Sequence, residues 1–205
     1  MRFSALIFDV DGTLVDSRES VLNAMDTVRR RFCGRPATAF ELERAMTVTN
    51  DESFSDFPDE QLPELNAAVE REYRAKPSAL FEGAAELVVQ ARGAGLTLCI
   101  LTSRFERELL SEKCLAPLLP CFSHIMHAGS GFPVKPSPAP ALELLRLCGG
   151  QSGKTLYIGD SDTDRLCAAA AGLPFALAGW GAVKDMQAQF RPRGIPELTD
   201  IIFGV

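Results

Sequence analysis

The sequence is short of the residues that build zinc sites, disulfide frameworks and membrane spans. It contains two histidines, His124 and His127, with no Cys or carboxylate at ligand spacing beside them, so a histidine-based zinc site is not expected. Its six cysteines, at 33, 99, 114, 121, 148 and 167, form no C-x-x-C pair. The apolar start, Ala5–Phe8, is too short for an export signal and runs straight into Asp9. The thiols therefore read as reduced and mostly buried, and the expected compartment is the cytoplasm. No stretch approaches the roughly 18 apolar residues that cross a bilayer, so no membrane association is expected. Basic clusters are also scarce. Arg29-Arg30-Arg31 is the one such run in a chain of net charge −6, and it reads as a solvated helix face. Without a basic face, nucleic acid is excluded as a partner.

What remains is the profile of a soluble globular protein: 205 residues, 46% hydrophobic and 23% charged. Short apolar runs recur at Ala5–Phe8, Leu96–Leu101, Ser123–Met126, Thr155–Ile158 and Phe175–Ala178. Each has strand length, and helical periodicity fills most of the intervals. This alternation predicts an α/β fold with a parallel sheet covered on both faces. The second strand arrives late, because a strand–helix–strand unit needs only about 30 residues. Something is inserted after the first strand. Residues 17–78 read as all helical. Asp16 with Glu19 resembles a capping box before Val21, Leu22, Met25, Val28 and Phe32, and Thr38 with Glu41 repeats that signature. A third helix is predicted over Glu60–Ala75, with Leu62, Leu65, Ala68 and Val69 inward. The predicted organisation is a core domain of residues 1–16 and 79–205, with a helical cap domain of residues 17–78.

Polar residues of one chemical theme stand at the strand ends, where open parallel sheets bind ligands. The first strand runs into Asp9-Val10-Asp11-Gly12-Thr13. Alternation puts Asp9 and Asp11 on one side of the chain. Two such close carboxylates repel unless a cation or a proton lies between them, and a hard divalent ion suits their oxygens. One carboxylate can then serve as nucleophile while the other carries a proton. Gly12 and Thr13 suit the tight exit toward the insertion. The second strand ends in Thr102-Ser103, whose hydroxyl and backbone N–H groups can hold phosphate oxygens, with Arg104 adjacent. Lys135 follows the third strand and can neutralise a transferring phosphoryl group. The fourth strand ends in Gly159-Asp160-Ser161-Asp162-Thr163-Asp164. Asp160, nearest the strand, is the better metal ligand there. Asp162 reads as an acid decorating a helix N-terminus.

These motifs resemble those of the haloacid dehalogenase superfamily, in particular its phosphoglycolate-phosphatase-like branch with a helical cap. The likeness rests on Asp9–Ser17, Leu101-Thr102-Ser103, Lys135-Pro136 and Gly159-Asp160 with Asp164; Ala178-Gly179-Trp180-Gly181 also looks like the branch's loop after its last strand. It implies a Rossmann-like core of strand order 3-2-1-4-5. It further implies that Asp9 attacks phosphorus to form an aspartyl-phosphate and that Asp11 protonates the leaving oxygen, then activates water. Mg²⁺ would be held by Asp9, Asp160 and the main-chain carbonyl of Asp11. Thr102 and Lys135, with Ser103, Gly12 and Thr13, would form the phosphate-binding set, and Asp164 would orient Lys135 or the metal's waters. The residues 47–54 look like the branch's specificity loop, with Thr47 where Gly is usual; Thr163 stands where Asn is common.

The expected activity is therefore Mg²⁺-dependent hydrolysis of the phosphomonoester of a small metabolite by a monomer or homodimer. Asp11 favours phosphorus over carbon–halogen chemistry in the branches it resembles. The absence of a cap lysine before Lys76 disfavours phosphonate cleavage. A phosphomutase of the β-phosphoglucomutase type is the alternative, disfavoured by the acidic specificity loop. A non-catalytic receiver-like phospho-acceptor or binding protein is the alternative of a different class. It would need its acceptor Asp on the third strand, where His127 and Ala128 stand.

Overall fold

The computed structural model describes residues 2–46 and 48–204. The elements in chain order are β1 (Ala5–Phe8), β2 (Val15–Asp16), α1 (Arg18–Cys33), α2 (Ala39–Ala45), α3 (Asn50–Ser53), α4 (Leu62–Ala75), β3 (Ala79–Leu80) and α5 (Ala84–Gly93). There follow β4 (Thr97–Phe105), α6 (Glu106–Ser111), β5 (His124–Ala128), α7 (Ala139–Leu147), β6 (Thr155–Gly159), α8 (Asp162–Ala170), β7 (Phe175–Leu177) and α9 (Ile195–Phe203). The chain divides into two compact units, Met1–Asp16 with Leu80–Val205, and Ser17–Ala79. No helix among the described residues is long and apolar enough to cross a membrane.

The first unit is built on a five-stranded sheet of order β5-β4-β1-β6-β7, with β2 and β3 forming a separate two-stranded sheet. Every ladder in the large sheet is parallel. Counting its own strands alone, the order is 3-2-1-4-5, and the fold is α/β and Rossmann-like. The central strand β1 is the apolar run Ala5-Leu6-Ile7-Phe8, buried along its whole length. A strand between two layers of helices has no solvated face, so it reads as a continuous hydrophobic run rather than an alternating one. Its side chains divide between the layers. Leu6 and Phe8 pack with Leu87 and Val88 of α5 and with Leu198 and Ile202 of α9. Ile7 packs with Ala141 and Leu144 of α7 and with Cys167 and Ala168 of α8. Phe8 stands opposite Ile100 on one side and Ile158 on the other. The chain leaves β1 for β4 on one flank and reaches β6 on the other, so a crevice opens beyond the carboxyl ends of these strands.

The Ser17–Ala79 unit is helical, with a core of Met25, Val28, Phe54, Leu65 and Ala68. Thr38 and Thr49 each accept the N–H of the third residue of the following helix, while Glu41 and Glu52 return the bond, so both helices start on a capping box. Three expectations need correction. Asp16 and Glu19 form no box. Asp16 belongs to β2, α1 starts at Arg18 behind Ser17, and the Glu19 carboxylate pairs with Lys76. Arg29 is not solvated: it is 1% exposed, while Arg30 and Arg31 point outward. Its guanidinium donates to Asp56 at 2.6 and 2.9 Å and to the Ser53 carbonyl at 2.8 Å, and lies 3.1 Å from Glu41. It also sits over the rings of Phe54 and Phe57. A periodicity of 3.6 sends one of three consecutive residues inward, and here that residue finds two carboxylates. Finally, Thr102, Ser103 and Arg104 lie within β4 rather than past its end. The strand continues to Phe105 through an irregularity in its register with β5 between Leu101 and Phe105.

Candidate active site

Asp9 follows β1, and its N–H donates to the Ile158 carbonyl of β6 at 2.9 Å, which keeps the chain in the sheet for one residue more. The next residues then turn. Thr13, Leu14 and Val15 all direct their N–H groups to the Val10 carbonyl, and Gly12 adopts φ +74°. That turn requires glycine twice over. The φ is left-handed, and a Cβ at Gly12 would stand 2.2 Å from Asp160 Oδ2. The loop after β7 closes on the same turn. Trp180 Nε1 donates to the Thr13 carbonyl at 3.0 Å, and Gly181 is so close to the Gly12 carbonyl oxygen that a Cβ would meet it at 1.9 Å.

The acids come together around one ammonium. Lys135 Nζ donates to Asp9 Oδ1 at 2.6 Å and to Asp164 Oδ1 at 2.7 Å, with all three residues buried. Asp164 is saturated: Tyr157 donates its hydroxyl at 2.9 Å to the same oxygen, and Ser161 gives both its N–H and its hydroxyl to the other. Asp160, 8% exposed, accepts no hydrogen bond from a described residue. Carboxylate oxygens of Asp9, Asp160 and Asp164 lie within 4.8 Å of one another, the one group of this kind among the described residues. Burial drives the Asp9 carboxyl above its ordinary range, and Asp164 and Asp11 push the same way against Lys135. Burial, then Asp9 and Asp164, raise Asp160 well above its range. Burial works against the Lys135 ammonium too, but Asp164 and Asp9 outweigh it and hold its pKa above the ordinary value. Three carboxylates and one lysine leave excess negative charge in a buried place. An oxygen-only donor set of three gathered carboxylates fits a hard divalent cation.

Asp11 turns elsewhere. Arg104 grips it through Nε at 2.7 Å and a terminal nitrogen at 2.6 Å, while the other terminal nitrogen reaches Glu112 at 3.0 Å. Arg104 does not face solvent; its side chain is 10% exposed. Thr102 is buried on β4, with its hydroxyl accepting the Arg104 N–H at 3.2 Å, and Ser103 beside it is half-buried. The Thr13 hydroxyl is buried with no partner among the described residues. Asp162 pairs with Arg165 at the surface, in keeping with a helix-end acid. His127 turns its ring to the Ala128 carbonyl, and neither histidine joins the acid group. Of the residues 47–54, Thr47 lies outside the described residues.

Sequence reasoning passed over Arg104 as an anchor, and Glu112, Tyr157, Ser161 and Trp180 as supports. Ser161-x-x-Asp164 has capping-box spacing and was readable as such; the structure forms that box. Tyr157 carries no signal, since it stands inside an apolar strand and only the fold brings its hydroxyl to Asp164.

The chain is similar to known proteins over most of its length. The family model described as haloacid dehalogenase-like hydrolase matches residues 6–178. A protein of Halalkalibacterium halodurans named pyrophosphatase PpaX is 26% identical, covering 98% of both chains. A protein of Mesorhizobium japonicum named phosphoglycolate phosphatase is 26% identical over 93% of this chain and 88% of its own. Among solved structures, a HAD-superfamily hydrolase of subfamily IA from Geobacter sulfurreducens superposes with a TM-score of 0.71 at 26% identity, covering 98% of this chain and 97% of its own. The match spans most of the chain, from β1 through β7, and the chain belongs to the haloacid dehalogenase-like hydrolase family.

Proposed function

We propose that this protein is a magnesium-dependent phosphatase that hydrolyses the phosphomonoester of a small metabolite through an aspartyl-phosphate on Asp9. One observation carries the reading: a buried carboxylate at the tip of the central strand is ion-paired to Lys135 and has carboxylate oxygens of Asp160 and Asp164 within 4.8 Å. The residues able to hold the cation are Asp9, Asp160 and the main-chain carbonyl of Asp11. When bound, Mg²⁺ supplies positive charge that keeps the carboxylates ionised and balances the phosphoryl oxygens.

The chain's own residues account for the remaining chemistry. An Asp9 carboxylate oxygen bonds to phosphorus as the bond to the leaving oxygen breaks. Lys135, steadied by Asp164, stays protonated and offsets charge on the phosphoryl oxygens, with Thr102 and Ser103 donating to the same group. Asp11 gives its proton to the leaving oxygen, then takes one from the water that splits the aspartyl-phosphate. To act as an acid Asp11 has to leave Arg104, because a carboxylate gripped at both oxygens by a guanidinium is held ionised. Relatives named pyrophosphatase and phosphoglycolate phosphatase are a reason to try pyrophosphate and phosphoglycolate first in a substrate panel.

The test is release of inorganic phosphate from p-nitrophenyl phosphate and from a metabolite panel ranked by kcat/KM. Asp9→Asn is expected to lose at least about a thousandfold in kcat, as removal of a covalent nucleophile does. Wild-type turnover that survives complete chelation would overturn the magnesium reading.

A further inference from the structure

The site uses none of the cysteines, yet two of them touch. Cys99 Sγ and Cys148 Sγ are 3.3 Å apart. Cys99 is the third residue of β4 and is fully buried; Cys148 directly follows α7 and is half-buried. The other thiols are placed differently. Cys33 is exposed in the helical unit, Cys114 contacts Glu112, and Cys167 contacts the Ser137 carbonyl.

We propose that Cys99 and Cys148 form an oxidative modification site, closing to an intramolecular disulfide when the protein meets a peroxide. A disulfide needs its sulfurs about 2.05 Å apart, so the pair must approach by little more than 1 Å. The backbone next to Cys148 can supply that shift. Gly149 and Gly150 follow it with φ +92° and +73°, and nothing stands within 4 Å of a Cβ built on either. The β4 side is fixed in the sheet, so α7's end is the half that moves.

The chemistry starts at Cys148, the sulfur that solvent can reach. Its thiolate attacks a peroxide oxygen, the O–O bond breaks, and one water leaves, giving a sulfenic acid. The Cys99 sulfur then attacks the sulfenic sulfur, the S–O bond breaks, and a second water leaves. Two thiols and one peroxide become one disulfide and two waters, with two electrons passing to the peroxide. Contact with Cys99 holds the Cys148 thiol below its ordinary pKa. The same contact and burial push Cys99 up, so Cys148 is the thiol that ionises first. Cys99 and Cys148 are 49 positions apart, so the bond would tie β4 to the far end of α7 and close a loop containing Lys135.

The test uses the full chain in a Cys33→Ser background, which removes pairing between molecules through the exposed thiol. After reduction, desalting and brief hydrogen peroxide treatment, the protein should lose two free thiols and yield one Cys99–Cys148 peptide on non-reducing mapping. Its melting temperature should rise by about 5–10 °C, reversibly with dithiothreitol. Cys148→Ala should abolish both effects. Cys99→Ala should instead leave Cys148 as a sulfenic acid that dimedone traps; if that variant fails to fold, the wild-type peptide map still decides. Full retention of both thiols, or a map pairing either one with a different cysteine, would overturn the proposal.

Discussion

A carboxylate buried between strands and held 2.6 Å from an ammonium is fixed in orientation as well as in charge, which is what the in-line attack proposed for Asp9 would require. Its neighbour Asp160 is positioned by an absence, the missing side chain of Gly12. Gly12→Ala would put a methyl carbon 2.2 Å from Asp160 Oδ2 and force a left-handed φ on a residue with a Cβ. The variant is expected to lose about 1–3 kcal/mol in urea unfolding. Affinity for the divalent ion proposed at Asp9 and Asp160, measured by calorimetry, should weaken roughly tenfold or more in this variant. The gathering of Asp9, Lys135 and Asp160 was legible because Asp9 and Asp160 directly follow strands and Lys135 lies in the loop after the third large-sheet strand, each in a motif. Arg104 was not, since a charged residue after Thr102-Ser103 reads equally well as solvated. Only the extension of β4 to Phe105 carries its guanidinium to Asp11 and Glu112.

Among the elements, α1 and α2 meet through charges rather than apolar contact alone. Glu41 accepts two bonds from Arg35 at 2.8 Å each and one from the Thr38 N–H at 2.7 Å, with Arg29 nearby. The Arg35 hydrogen bonds, then those from Thr38, lower its pKa from 4.5 to about 2 against the effect of burial. A depressed carboxylate contributes stability that is fully present above about pH 4.5 and is lost as pH falls toward 2. Exchange of the α1 and α2 amides should therefore accelerate as pH falls across that window. Glu41→Gln should flatten the pH dependence while lowering protection at neutral pH. The Thr38–Glu41 box was legible from spacing, whereas the Asp16–Glu19 box failed because the chain was still in β2 at Asp16. Arg29's burial was illegible for a related reason: three consecutive arginines look alike until the helix phase sends one inward.

Taken whole, the molecule follows from three features of its sequence: apolar runs of strand length, helical spacers, and a delayed second strand. They gave the α/β class directly. The strand order came from the family resemblance, since spacing alone does not say on which side of β1 each later strand lands. Excess acid gathered at the sheet's carboxyl edge opposes folding, and the proposed cation would relieve it. Mg²⁺ at about a hundred times its dissociation constant should stabilise the chain by about 2.7 kcal/mol, read as a rise of several degrees in melting temperature. Asp160→Asn should show little of this rise. An unchanged melting temperature in wild type across Mg²⁺, Mn²⁺ and Ca²⁺ would count against a cation site at these acids.

The chain has one tryptophan, and its indole N–H is bonded to the Thr13 carbonyl. Emission from Trp180 is therefore a single-fluorophore signal from the loop after β7, which is bonded to the turn that carries Asp11, Gly12 and Thr13. Beryllium fluoride or orthovanadate, mixed with the protein in stopped flow, should change its intensity in one saturable phase, and Trp180→Phe should be optically silent. This gives a way to time events at that loop without labelling the protein.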